Sequence, residues 1–206
     1  MMQEISQGPC GSRGYLRRNN MEIVFLVEEI SMKIFLEAIL PNILPDGVSF
    51  LIIPHNGKTD LRKSIPHKLE GWTKPKAKFV IVHDQDANDC IALKKELEDL
   101  CKKYSKDVLI RIPCHELEAW YFGDLVAVGE AYDMNLVRFT RKAKYRNPDM
   151  IQHPKEELKK IVPKLQQING AQKIGANIVI ERNTSKSFQV FVSGVRRLCG
   201  CENYGK

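Results

Sequence analysis

An apolar run that ends in carboxylates occurs twice in the chain, as EIVFLVEE at residues 22–29 and as KFVIVHDQD at residues 78–86. Both runs are continuous and rich in β-branched residues, which is typical of strands buried on both faces of a parallel sheet. Further apolar runs at residues 48–53 and 108–112 predict two more strands. The sequence therefore predicts a four-stranded sheet with acidic side chains directly after two of its strands.

Apolar residues recur at helical spacing between the predicted strands. Ser31 is expected to cap a first helix that Pro45 and Gly47 close. A second, shorter helix is expected to be interrupted at Pro66, and a third has apolar residues at 93, 97, 100, 101 and 104. Buried strands alternating with amphipathic helices indicate an α/β, Rossmann-like fold with a mainly parallel sheet flanked by helices.

Composition and charge divide the 206-residue chain into three parts. Residues 1–20 are polar, Gly-rich and without periodicity, and are expected to form a flexible leader. Residues 21–133 are the predicted α/β core, and their net charge is negative. Helical patterns at 155–168, 171–179 and 186–198 predict that residues 134–206 form a basic helical extension packed on the core.

Several classes of protein are disfavoured by composition. With 43% hydrophobic and 28% charged residues, the chain resembles neither a disordered protein nor a coiled coil. It has no apolar run of the roughly 18 residues that suggests a transmembrane helix, and no signal-peptide core. Its six cysteines lack zinc-finger spacing. We therefore expect a cytoplasmic protein with free thiols and no membrane partner.

The carboxylates that follow the strands form the candidate active site. Ligands of an open parallel sheet bind beyond the carboxyl ends of its strands. Glu28 follows the first predicted strand, Asp84 and Asp86 follow the third, and Glu118 lies shortly after the fourth. Like charges repel by roughly 1 kcal/mol per pair even in water, and a cation relieves this repulsion. We expect Glu28, Asp84 and Asp86 to hold Mg²⁺ or Mn²⁺ and, with Glu118, to be catalytic.

Neighbouring polar residues have simpler interpretations. Glu116 and Glu118 would diverge by about 200° in a regular helix, so one of them is expected to be structural. Glu29 is expected to face solvent, and Asp89 to cap the third helix. His115 is interpreted as a hydrogen-bonded structural residue, with a general base as the alternative.

Five residues are candidates for contacts with nucleic acid. Lys58 follows the second strand and is expected to contact a phosphate, although no Walker motif is present. Ser185 and Lys186 open a predicted helix whose N-terminus attracts anions, with an ordinary cap as the alternative. Arg141 and Lys144 belong to a basic cluster around an aromatic residue, which suits a nucleic-acid backbone, with a solvated surface as the alternative.

Seven segments, spread over residues 21–195, resemble the bacterial and archaeal family labelled domain of unknown function 4276. They are FLVEE at 25–29, FLE at 35–37, GKTDL at 57–61, VHDQD at 82–86, RIPCHELEAWY at 111–121, NPD at 147–149 and SKSF at 185–188. Their order along the chain makes a chance match unlikely.

That family is similar in turn to the Toprim superfamily of topoisomerases, primases and nucleases. The resemblance implies that Glu28 is a general acid or base and that Asp84 and Asp86 bind Mg²⁺ for phosphodiester chemistry. It also implies an ATPase partner and a role in defence against phages or mobile elements. This chain has Glu29 where many Toprim domains have Gly.

The resulting hypothesis is a Mg²⁺-dependent nuclease domain that acts on DNA or RNA. The alternative is a non-catalytic partner or regulatory subunit of an ATPase complex. A receiver-like signalling module would need a Lys after a fifth strand, and no fifth strand is found. A haloacid-dehalogenase phosphatase would need its aspartates after the first strand, where this chain has glutamates.

Overall fold

The computed structural model describes residues 21–201, so the leader expected at 1–20 lies outside the described residues. The strands are β1 (Glu22–Val27), β2 (Ser49–Pro54), β3 (Ala77–Val82) and β4 (Val108–Arg111). The helices of residues 21–201 are α1 (Ile30–Ile39), α2 (Lys58–Gly71), α3 (Cys90–Cys101), α4 (Glu118–Phe122), α5 (Leu125–Tyr132), α6 (Val137–Thr140), α7 (Pro154–Ile161), α8 (Gln167–Asn177) and α9 (Lys186–Leu198), with 3-10 turns at 40–42, 143–145 and 148–150.

The four strands form one parallel sheet in the order β2-β1-β3-β4, as the α/β prediction requires. Strands β1 and β3 lie at its centre, and Val27 pairs with Val82 at their carboxyl ends. Side chains alternate between two apolar layers, because successive residues of a strand point to opposite faces. Phe25 and Val27 of β1 belong to one layer, and Val24 and Leu26 to the other.

The two layers are covered by different helices. Helices α2 and α3 supply the smaller layer through residues such as Leu61, Ile65 and Leu97. The larger layer contains an aromatic cluster made by α1, α4 and α9, in which the Trp120 ring lies 5.4 Å from Phe188. Helix α8 packs against α1, and α9 packs against β4. The C-terminal helices therefore complete the core of the sheet.

Prolines move several helix boundaries from their predicted positions. Helix α1 ends at Ile39, because Pro41 follows in a 3-10 turn. Ser31, the expected cap of α1, lies inside the helix instead, and its hydroxyl donates to the Glu29 carboxylate. The predicted interruption at Pro66 is wrong, because buried Ile65 and other apolar residues hold α2 continuous through it. The helix predicted at 155–168 corresponds to α7, which ends at Ile161, before Pro163. The helix predicted at 171–179 corresponds to α8, which begins earlier, at Gln167.

A close backbone approach at Gly129 makes this position sensitive to substitution. A Cβ added there would lie 2.4 Å from the backbone oxygen of Met134, because the chain turns back tightly at the end of α5. We expect Gly129→Ala to lower the free energy of unfolding by about 2–3 kcal/mol, measured by urea denaturation. Gly71→Ala is the control, since a Cβ there meets no atom within 4 Å. Equal effects of the two substitutions would contradict the packing described here.

None of the helices in residues 21–201 is both long and apolar enough to cross a membrane. The five cysteines of this part of the chain are free thiols, as predicted.

Candidate active site at the carboxyl edge of the sheet

The register of the sheet brings Glu28 and Asp84 to the same edge. Because Val27 and Val82 are partners at the ends of β1 and β3, Glu28 and the His83-Asp84 pair leave adjacent strands at the same level. The backbone of Glu28 is fixed further by the amide of Gly57, which donates to the Glu28 carbonyl at 3.1 Å. This edge is where the sequence predicts the active site.

The loops after β3 and β4 are joined by hydrogen bonds. The Gln85 amide donates to the Pro113 carbonyl at 3.1 Å, and the Asp86 amide donates to the His115 carbonyl at 2.8 Å. Asp86 and His115 both adopt left-handed backbone conformations, with φ of 52° and 60°, which are uncommon for non-glycine residues. His115 Nδ1 also lies 3.2 Å from the Asp86 carbonyl oxygen. These bonds hold the loop of residues 83–89, hereafter the aspartate loop, in one shape, which favours the structural interpretation of His115.

Burial and neighbouring carboxylates raise the pKa values of Glu28 and Asp84. Burial and the nearby Asp86 raise the pKa of Glu28 to about 6. Burial, followed by the charges of Glu28 and Glu118, raises the pKa of Asp84 well above its ordinary value. Asp84 is half-buried as a residue, but its Oδ1 atom is inaccessible to solvent. Because such effects need proximity, Glu28, Asp84, Asp86 and Glu118 form one cluster, hereafter the carboxylate cluster.

Glu118 forms the buried side of the carboxylate cluster. It is only 6% exposed at the start of α4, and burial raises its pKa to about 7, partly offset by a hydrogen bond from its own amide. Tyr121, one turn along α4, has a buried hydroxyl without a hydrogen-bond partner. Burial and the charges of Glu118 and Asp84 raise the Tyr121 pKa well above its ordinary value. The predicted role of Glu118 is therefore compatible with its position.

His83 is a member of this site that sequence reasoning missed. The sequence pattern indicates only that His83 ends a strand, whereas the residue is 1% exposed, and its Nδ1 lies 2.7 Å from the Asp84 carbonyl oxygen and 3.6 Å from Glu28 Oε2. A carbonyl oxygen only accepts, so Nδ1 carries the proton, and the buried Nε2 has no partner. Burial lowers the pKa of His83. The sequence feature that could have identified His83 is its place at the end of an apolar run, where the strand pattern requires a buried residue.

Lys58 is the cation that approaches the carboxylate cluster. It occupies the first turn of α2, and its Nζ lies 3.1 Å from Asp86 Oδ2. The Lys58 side chain is 55% exposed and the Asp86 side chain 35% exposed, so this ion pair is weak and easily exchanged. Lys58 is thus accessible from solvent, and its contact with a phosphate stays a prediction.

The carboxylate oxygens of the cluster suit a hard cation, such as Mg²⁺, that takes few of its ligands from the protein. Within residues 21–201, no three His, Cys, Asp or Glu side chains are grouped closely enough to ligate one ion. Two buried oxygens, Glu28 Oε2 and Asp84 Oδ1, nevertheless lack any hydrogen-bond partner. Mg²⁺ typically binds one or two carboxylates and keeps several waters. Glu28 and Asp84 fit that pattern, whereas Asp86 faces Lys58.

The N-terminus of α9 binds an anion from the chain itself. The Asp149 carboxylate accepts hydrogen bonds from the Ser185 hydroxyl at 2.7 Å and from the Ser187 amide at 2.8 Å. Ser185 is fully buried and also caps α9 through the Phe188 amide. This geometry gives no support to a nucleic-acid contact by Ser185 and favours the ordinary cap. Lys186 is exposed next to it.

The basic cluster around Tyr145 is partly used within the fold. Lys144 forms an ion pair with Glu157 at 2.5 Å, and Tyr145 is buried and stacked on Phe122. Arg141 is exposed and has no ion-pair partner in the part of the chain that the structure describes. The ring of Tyr145 is therefore not free to stack on a base, and Arg141 is the more accessible of the two predicted contacts.

Three other acidic residues have structural roles. Glu116 Oε2 accepts from the Lys155 amide at 3.1 Å and so caps the start of α7, which makes Glu116 the structural member of the Glu116/Glu118 pair. Asp89 caps α3 as predicted, accepting from the Ala92 amide at 2.8 Å. Glu29 is exposed as predicted, and its carboxylate accepts from Gln167 of α8.

Comparison with known proteins places the chain in a family. Searches of curated proteins and of solved structures gave no match. The family model described as a domain of unknown function, number 4276, matches residues 27–196, which run from the last residue of β1 through β2, β3 and β4 to most of α9. The chain therefore belongs to the domain of unknown function 4276 family, as its seven sequence segments indicate.

Proposed function

We propose that the chain is a Mg²⁺- or Mn²⁺-dependent nuclease of Toprim type, which hydrolyses phosphodiester bonds of nucleic acid in the cytoplasm. The observation that carries this proposal is the pair of buried, unpartnered oxygens of Glu28 and Asp84, two carboxyls whose pKa values are both raised. The positions of Glu28 after β1 and of Asp84 and Asp86 after β3 also match what the Toprim resemblance implies. An ATPase partner and a role in defence against phages belong to the same proposal.

The carboxylates and Lys58 have different proposed roles at the substrate phosphate. Glu28 and Asp84 would hold the cation, and Lys58 would exchange Asp86 for a phosphate oxygen of the substrate, since the Lys58–Asp86 ion pair is exposed. A bound Mg²⁺ or Mn²⁺ polarises the phosphate and lowers the pKa of an attacking water. The raised pKa values of Glu28 and Asp84 describe the cation-free cluster, and a cation that neutralises the repulsion lowers both.

The proposed hydrolysis consumes one water molecule for each phosphodiester bond. Its oxygen forms a bond to phosphorus while one phosphorus–oxygen ester bond breaks, which leaves a phosphomonoester and a hydroxyl. Glu28, placed after β1 at the carboxyl edge, accepts the proton of the attacking water and afterwards releases it to solvent. The leaving oxygen takes up a proton from solvent. His83 holds the Asp84 backbone through its Nδ1 proton and so positions the aspartate loop.

A cleavage assay with matched lysine variants tests the proposal. Labelled DNA and RNA should be cut with Mn²⁺ and left intact with EDTA. Lys58→Gln should weaken nucleic-acid binding and reduce the slope of its salt dependence by about one charge. Lys76→Gln is the control, because Lys76 is also exposed but lies before β3, at the opposite edge of the sheet. Mn²⁺ binding without cleavage of any substrate would contradict the proposal and favour a non-catalytic subunit of an ATPase complex.

A further inference from the structure

A cleft of about 410 Å³ adjoins the carboxylate cluster at Asp86. It lies between the aspartate loop, the loop before α4 and the segment before α7. Its volume is within the range of about 300–1,000 Å³ found for small-molecule sites. The cleft is lined by Gln85, Asp86, Ala87, Asn88, His115, Glu116, Gln152 and His153.

Two walls of the cleft are fixed by internal hydrogen bonds. Gln85 Nε2 donates to the Asn88 carbonyl at 3.0 Å, and Asn88 Nδ2 donates to the Gln85 carbonyl at 2.9 Å. Gln85 Oε1 accepts from the His115 amide, and Glu116 accepts from the Lys155 amide. These side chains shape the cleft, and most of their polar atoms are already paired.

The third wall supplies free hydrogen-bonding groups. Gln152 and His153 are exposed, and their side chains make no hydrogen bond within residues 21–201. His115 uses Nδ1 on the Asp86 carbonyl and leaves its other ring nitrogen without a partner in the same part of the chain. The cleft thus offers the Gln152 amide and the His153 ring, which can donate and accept, and His115 Nε2, which accepts because Nδ1 carries the proton.

The charge of the lining selects against a phosphate. The cleft contains two carboxylates, Asp86 and Glu116, and none of its lining residues is Lys or Arg. An anion is disfavoured there, whereas an uncharged heterocycle with donors and acceptors on its edge is accommodated. Amides pair with base edges, and histidine rings stack on unpaired bases.

We propose that this cleft binds one unpaired nucleobase of the strand whose phosphate lies at Lys58 and the carboxylate cluster. The inference rests on the proposed function and deepens it, because Asp86 borders both the cleft and the phosphate position. A base in a duplex is paired and stacked and cannot enter. The preferred substrate is therefore single-stranded nucleic acid or a single-stranded end.

Binding measured in EDTA tests the cleft separately from cleavage. The full chain is titrated with a labelled single strand of mixed sequence, with an abasic oligomer of the same length and charge, and with the blunt duplex, and fluorescence anisotropy is recorded. We expect the single strand to bind about tenfold more tightly than the abasic oligomer, because one stacked base contributes roughly 1–3 kcal/mol. The duplex should also bind more weakly than the single strand.

A double variant tests whether the preference for the single strand over the abasic oligomer depends on the cleft. Gln152→Ala with His153→Ala should reduce the preference for bases to about twofold or less while leaving affinity for the abasic oligomer unchanged. Gln172→Ala with His67→Ala is the matched control, since both residues are exposed and lie in α8 and α2, outside the cleft lining. The control should keep the wild-type preference.

The outcomes separate the two proposals. Equal binding of the abasic oligomer and the single strand by the wild type, or an unchanged preference in the cleft variant, would overturn the base site even if Mn²⁺-dependent cleavage is found. A preference for bases that the cleft variant loses, in a chain that cleaves nothing, would support the base site and overturn the nuclease.

Discussion

Asp84→Asn should abolish metal-dependent cleavage and, in the same protein, raise the free energy of unfolding in EDTA at neutral pH. The Asp84 carboxyl is buried among other carboxylates, so its charged form is disfavoured and its pKa is well above the ordinary value. Asn has nearly the same shape without the charge. Loss of a cation ligand should reduce cleavage by more than about 100-fold. Activity is measured with Mn²⁺ and a labelled oligonucleotide, and stability by urea denaturation in EDTA.

Asp89→Asn is the control for this prediction. Asp89 caps α3 from the same loop, and Asn is an equally good N-cap, so neither stability nor activity should change much. Lower stability together with retained activity in Asp84→Asn would show that Asp84 serves the fold and would exclude it from catalysis.

Glu118→Gln should remove the part of the pH dependence of stability between pH 4.5 and about 7 that comes from this carboxyl. Burial raises the folded-state pKa of Glu118 from 4.5 to about 7. A carboxyl with a higher pKa in the folded chain destabilises the fold as pH rises from the unfolded to the folded value. The full penalty, present above about pH 7, is about 3 kcal/mol. The free energy of unfolding is measured in EDTA across this range for the wild type and the variant.

The difference between the two proteins isolates Glu118. His83 has a lowered pKa, so its contribution has the opposite sign and stability rises with pH through its titration, but it is common to both proteins. Glu70→Gln, at an exposed position in α2, should follow the wild-type curve. Glu28 and Asp84, whose pKa values are also raised, titrate in both proteins. A stability difference between the two proteins that stays constant across this pH range would contradict the buried carboxyl inferred at position 118.

The carboxylate edge was predictable because it depends on short-range patterns. Continuous apolar runs indicate buried parallel strands, and parallel strands place the residues that follow them at one edge. Glu28, Asp84 and Asp86 therefore come together from the sequence pattern alone, and the cap at Asp89 follows from its position before a helix.

Other features depend on contacts between distant parts of the chain. Asp149 occupies the N-terminus of α9 from 36 residues away, so the sequence around Ser185 indicated an anion site without revealing which anion fills it. The continuity of α2 through Pro66 depends on tertiary packing, which overrides the local preference of proline. The burial of Tyr145 against Phe122 likewise requires the assembled fold.

The most direct measurement is anomalous diffraction from a crystal soaked in Mn²⁺. We predict a peak about 2.0–2.2 Å from oxygens of Glu28 and Asp84, present in the wild type and absent in Asp84→Asn. A saturated crystal with no peak at these carboxylates, or with Mn²⁺ bound only elsewhere, would contradict the claim that the carboxylate cluster is a cation site.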